Sequence, residues 1–180
     1  MKRSIISVAA GLTILCLGAA SFAASKVDID RGVVTSLNDF NALNAANGTL
    51  GKKAAGMLVF PSVTKGGVGI AGEFGEGVLQ VNGKTLGYYS IASGSIGLTL
   101  GLAKHSQIIM FMTKDSLDHF TSSDGWSIGA DAGVTVVSAK AGGDYDSLAQ
   151  TKPILAFAFA DKGLIGDLSV DGSKITKIKD

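Results

Sequence analysis

Cysteine occurs once in the 180 residues, at Cys16, so the chain can form no internal disulfide. Its stability must come from packing, and removal of Cys16 with the apolar segment around it would leave no thiol chemistry. Histidine occurs twice, at His105 and His119, and neither shares a metal-ligand spacing with another histidine or a cysteine. No transition-metal site is expected. Glu73 and Glu76 are the only glutamates, and an offset of three residues along a strand puts them on opposite faces, which does not support paired-carboxylate chemistry. Ser116, Asp118 and His119 are too close in sequence to face one another on a helix, and no nucleophile elbow occurs elsewhere. No catalytic residue and no cofactor is assigned. Arginine is equally scarce, with Arg3 and Arg31 alone, and the lysines are scattered. Without a basic field or a set of guanidinium forks, nucleic acid is not an expected partner.

What is present begins with Lys2 and Arg3 ahead of the apolar run "IISVAAGLTILCLGAASFA". Ser21 and Ala23 then stand at the −3 and −1 positions of a cleavage site, so residues 1–23 have the grammar of a secretory signal peptide. Cys16 follows Leu15, which is not the small residue that a lipoprotein signal requires. Cleavage after Ala23 leaves 157 of the 180 residues as a single expected domain, exported to the periplasm or secreted.

Ile29, Val33, Leu37, Phe40 and Leu43 recur at spacings of four, four, three and three, which places them on one face of a helix. "ANGTLGKKAAG" reads as a turn and a short second helix carrying Lys52 and Lys53, so the helical segment spans about residues 28–55. From Met57 the period changes to two, with glycine-punctuated runs such as "MLVFPSV", "GVLQVNGKTLGYYSI" and "QIIMFM". Asn82-Gly83 and Asp171-Gly172 sit between alternating segments and predict tight antiparallel hairpins. Thr113 is a good N-cap for an inserted helix over "KDSLDHFTSS". Ile91 to Ala103 is apolar but broken by Gly94, Gly97 and Gly101, and reads as one buried strand too short to span a bilayer. Trp126 is expected in the core. Asn47-Gly48-Thr49 matches a glycosylation sequon, relevant only in a eukaryotic secretory pathway. The fold class is α+β, with a mainly antiparallel, strongly curved or barrel-like sheet.

"TKGGVGIAGEFGEGV" contains Gly67, Gly69 and Gly72 in the G-x-G-x-x-G spacing of a dinucleotide loop. The segment that follows is "EFGEGVLQV", an alternating run where that loop demands a helix, and no acidic residue lies near position 92. These glycines are therefore assigned to strand geometry, with Gly69, Gly72 and Gly75 expected to resist side chains.

The stretch "KKAAGMLVFPSVTKGGVGIAGEFGEGVLQVNGKTLGYYSIASGSIGLTLG" resembles the SYLF family, a lipid-binding domain also described as an actin-regulator domain. "IIMFMTKDSLDHFTSSDGWSIGADAGVTVV" and "KPILAFAFADKGLIGDLSVDGSKITKI" extend the likeness, which covers roughly residues 37–178. The resemblance implies binding of acidic phospholipids, of phosphoinositide type in eukaryotic members, without catalysis. It maps lipid contact onto the stripe from Ile29 to Leu43 and onto Lys52, Lys53 and Lys65. Actin is not an expected partner of an exported bacterial member. The alternative is a structural or protein-interaction module of the periplasm. Lipid binding through these residues requires Lys52, Lys53 and Lys65 to converge on one patch.

Overall fold

A computed structural model of the chain describes residues 24–68, 70–96, 101–123, 125–128, 133–137, 145–160, 163–165 and 172–179. The expected leader and its cleavage position lie outside these residues, as do Gly69 and the Asp171 half of the second predicted hairpin turn. Helix α1 spans Lys26–Leu43, and α2 spans Ala45–Lys53. Ser25 caps α1 by accepting a hydrogen bond from the Asp28 amide at 3.2 Å, and Asn44 caps α2 by accepting from the Ala46 amide at 2.9 Å. Each cap satisfies an amide that has no partner within its helix. The strongly extended Asn44 breaks the two helices apart.

Four long strands follow: β1 (Gly56–Val68), β2 (Ile70–Val81), β3 (Lys84–Ile96) and β4 (Gly101–Phe111). They pair antiparallel as two hairpins, and β1 also pairs with β4. At the β2–β3 turn, Asn82 and Gly83 have φ of 52° and 73°, the left-handed pair that a tight hairpin needs and that Asn-Gly supplies at little cost. Residues 91–103 do not form one buried strand. They divide between the end of β3 and the start of β4, which are not neighbours in the sheet, and an apolar run without a period carries no mark of that division.

Helix α3 (Lys114–Ser122) is inserted next, with Thr113 as its cap, and is followed by β5 (Trp126–Ser127) and β6 (Val134–Val137). Helix α4 (Tyr145–Thr151) was not evident from periodicity. The remaining strands are β7 (Ile154–Ala160), β8 (Gly163–Leu164) and β9 (Lys174–Lys177). The sheet runs β5-β9-β3-β2-β1-β4-β7-β6, with β8 beside β7, and among the described residues only the β6–β7 pairing is parallel. It curls into a half-barrel, in agreement with the α+β expectation.

The curl is visible in the core. Phe111 on β4 and Trp126 on β5 have ring centroids 6.1 Å apart, although four strands lie between them in the sheet. Phe120 from α3 fills the hollow between them, at 4.8 Å from the Phe111 ring and 5.5 Å from Trp126. This inner cluster also holds Leu58, Leu79 and Ile109. The outer face carries α1 and α2, whose Ile29, Val33, Phe40 and Leu50 pack on Val59, Val78, Ile108 and Phe157. A sheet covered on both faces explains why β7, "ILAFAFA", is apolar at every position rather than alternating.

The glycine-rich stretch is a hairpin, with Gly66 opposite Gly72 and Gly67 opposite Ala71, and no helix follows it. Close approach explains part of its composition. β1 carries a bulge between Val59 and Ser62, and a Cβ on Gly77 would lie 2.2 Å from the Val59 carbonyl oxygen. A Cβ on Gly75 would meet the Ser62 oxygen at 3.0 Å. Gly72 departs from expectation: its nearest neighbour is the Ser93 oxygen at 3.8 Å, an ordinary contact, because it lies beyond the bulge. On the outer face, a Cβ on Gly32 would meet Pro61 at 2.9 Å, so α1 touches the sheet most closely at the bulge.

Candidate functional site

The apolar stripe of α1 is committed to the sheet. Ile29, Val33 and Phe40 are buried, Leu37 is half-buried, and only Leu43 at the end of the helix is exposed. Further contacts fix the helix. The Tyr88 hydroxyl donates to Asp30 at 3.0 Å, and Ser36 and Ser106 share a hydrogen bond of 3.1 Å. The outward face of α1 presents Val27 and Val34, both more than half exposed.

Under α1 and α2, where β1 begins, lies a cavity of about 600 Å³. Leu37, Phe40, Met57 and Met110 give it an apolar wall. Asn47, Lys52, Gln80 and Asn82 are among its polar residues. The first two come from α2, and Asn82 comes from the tip of the β2–β3 hairpin. Asn47 is 1 % exposed; its amide nitrogen donates to the Phe40 carbonyl at 2.6 Å, and its Oδ1 has no hydrogen-bond partner among the described residues. A buried acceptor left unpaired costs roughly 1–3 kcal/mol, so this wall favours a ligand that donates a hydrogen bond. The same burial removes Asn47 from any glycosylation role in the folded chain.

Lys52 and Lys53 are both exposed in the last turn of α2, where their charge also complements the carbonyl end of the helix dipole. Lys52 stands at the cavity. Lys65 is elsewhere. It lies nine residues beyond Gly56 on β1, roughly 30 Å of strand at about 3.3 Å per residue, and the strand runs on to Val68 instead of folding back. Its Nζ is 3.1 Å from Glu73 Oε1, in a pair whose carboxylate side chain is only 10 % exposed. The expected convergence of three lysines is therefore not made. Lys52 and Lys53 are neighbours, and Lys65 is a cross-strand ion-pair partner.

Around that pair the inner wall is polar. Ser93 donates to Glu73 at 3.5 Å, and Gln107 and His105 are buried on the adjoining strand with Nε2 atoms that have no partner among the described residues. Burial holds the His105 imidazole below its usual range, partly offset by the nearby Glu73 carboxylate. As expected from their offset, Glu73 and Glu76 diverge: Glu76 accepts a hydrogen bond from the Ala24 amide at 2.8 Å, at the start of α1. Among the described residues no group of three His, Cys, Asp or Glu side chains has the geometry to hold a metal ion. No described helix is long and apolar enough to cross a membrane.

Sequence reasoning missed Asn47, Gln80 and Asn82. Asn82 was legible as a turn residue, but its position against α2 depends on how the hairpin meets the helix, which no local pattern encodes.

A curled, mostly antiparallel sheet with a lined cavity beneath its N-terminal helices defines a domain of α+β class. The family described as Ysc84, Las17-binding protein actin regulator, matches residues 92–180, in agreement with the SYLF resemblance. This is a family of non-catalytic binding domains. The matched segment runs from the end of β3 through β9 and includes α3 and Trp126, whereas α1 and α2, with Lys52 and Lys53, precede it. No curated protein matches the chain.

Proposed function

We propose that the protein is an exported, non-catalytic domain that associates with anionic phospholipid surfaces through the C-terminal end of α2. The observation that carries this reading is the cavity of about 600 Å³ with an apolar wall of Leu37, Phe40, Met57 and Met110 and Lys52 at its edge. A lipid has that division of chemistry, with an apolar chain and a charged or hydroxylated headgroup. Lys53 adds a second cation to the same helix turn. Each lysine near an anionic membrane surface contributes roughly 1 kcal/mol, screened by salt. The family match over residues 92–180 supports a binding role, and the signal-peptide grammar of residues 1–23, with cleavage after Ala23, supports export to the periplasm or beyond. Phosphoinositide-type recognition is the finer form of this proposal, with the unpaired Asn47 Oδ1 accepting from a headgroup hydroxyl.

Flotation of the exported protein with vesicles of graded anionic content tests the reading. Binding that rises with anionic fraction and falls with salt is expected, and indifference to both contradicts it. One observation favours a second reading, a protein-interaction module of the envelope. Val27 and Val34 lie seven residues apart on the outward face of α1, an apolar pair with no lysine between them.

A further inference from the structure

The geometry points to Glu76 as the receptor for a new N-terminus: cleavage between Ala23 and Ala24 creates an α-ammonium group that pairs with the Glu76 carboxylate and pins the first turn of α1 to β2. The backbone nitrogen of Ala24 lies 2.8 Å from Glu76 Oε2, a contact across 52 residues of sequence. In the uncleaved chain that nitrogen is a neutral amide donor. The inference rests on the export reading only for the position of the cut, which Ser21 and Ala23 define as the −3 and −1 residues.

The chemistry balances with water and a signal-peptide endopeptidase of the envelope. The C–N bond between Ala23 and Ala24 breaks, the Ala23 carbonyl carbon takes the hydroxyl of water and ionises as a carboxylate, and the Ala24 nitrogen takes up protons to become an ammonium. A neutral hydrogen bond thereby becomes a charge-assisted one, roughly twice as strong. The location raises the need for a carboxylate. A helix N-terminus carries a partial positive charge, which disfavours an ammonium beside it. Asp28, the acidic residue of the first turn, is already engaged by the Ser25 hydroxyl at 2.6 Å and by Arg31 at 3.0 Å. Glu76 is the carboxylate that reaches Ala24.

The position of the cut is also selective. Removal of one residue more would take away the nitrogen that Glu76 holds and leave the cap residue Ser25 as the terminus. Ala24 and Glu76 stand together on the wall of a groove of about 850 Å³ between α1 and the sheet, so the pair ties the helix across the groove. Other ties of α1 lie further along: the Tyr88 hydroxyl on Asp30, then Gly32 on Pro61 and Ser36 on Ser106.

The test uses protein produced from the full-length coding sequence and recovered after export. Intact mass and N-terminal sequencing are expected to give Ala24 as the first residue; any other terminus overturns the inference, and a retained leader overturns the export reading as well. The α-amino pKa, followed by NMR, is expected to lie roughly half a unit above its ordinary value in the wild type and to return to that value in Glu76→Gln. An Ala24 terminus whose pKa does not respond to Glu76→Gln leaves export intact and overturns the pairing. Should Glu76→Gln fail to fold, selective acetylation of the wild-type α-amine takes its place. Faster amide exchange in the first turn of α1 is then the expected result, and unchanged exchange contradicts the pairing.

Discussion

Lys65 on β1 and Glu73 on β2 face each other across the strand pair, with Nζ and Oε1 at 3.1 Å. The ammonium side chain keeps 32 % of its surface and the carboxylate side chain 10 %, so the pair lies between the exposed and buried limits. An exposed pair contributes little, whereas removing one partner of a buried pair strands a charge. Lys65→Gln is expected to destabilise the fold by roughly 1–2 kcal/mol. Its affinity for anionic vesicles is expected to stay unchanged. Urea unfolding and vesicle flotation of the same preparation separate the two effects.

Gly77 and Gly72 make opposite demands. A methyl on Gly77 would sit 2.2 Å from the Val59 oxygen, with backbone on the other side of the clash, so Gly77→Ala is expected to cost about 3 kcal/mol or more. At Gly72 the same methyl meets only an ordinary contact at 3.8 Å. Gly72→Ala is expected to be neutral or to stabilise by up to about 1 kcal/mol, through the reduced freedom of the unfolded chain. Thermal melts of the two variants check the contrast.

His105 makes stability depend on pH. Its imidazole is buried and held below the ordinary value of 6.5, so between that value and its folded-state pKa the unfolded chain binds more protons than the folded one. Stability therefore rises with pH across this window, and it is lost as pH falls below about 6.5. His105→Asn is expected to flatten the pH dependence of the urea midpoint below the ordinary histidine value of 6.5. An equal slope in wild type and variant contradicts the assignment.

Much of the frame was legible because its signals are local. The α1 stripe reports a helix face, Thr113 reports a helix start, and Asn82-Gly83 reports a hairpin, each within a few residues. Helix α4 was not, since "YDSLAQT" offers only Tyr145, Leu148 and Ala149 as apolar positions, too few to define a stripe. The division of residues 91–103 was hidden for the opposite reason, an apolar surplus with no period. For the site, Lys52 and Lys53 were legible as neighbours on a helix end. The fate of Lys65 was not. It follows from cross-strand register, which places Glu73 opposite it and depends on the bulge between Val59 and Ser62. The cavity beneath α1 and α2 depends on three elements meeting, and among its polar groups Lys52 alone was expected to contact a ligand.

The most direct test of the account is the affinity of the Lys52→Gln, Lys53→Gln double variant for anionic vesicles at low salt, measured beside wild type. With roughly 1 kcal/mol from each lysine, binding is expected to weaken about thirtyfold and to lose most of its salt dependence, while the circular dichroism spectrum stays unchanged. Equal binding by the double variant and wild type, or no binding by wild type, would contradict a lipid-facing α2.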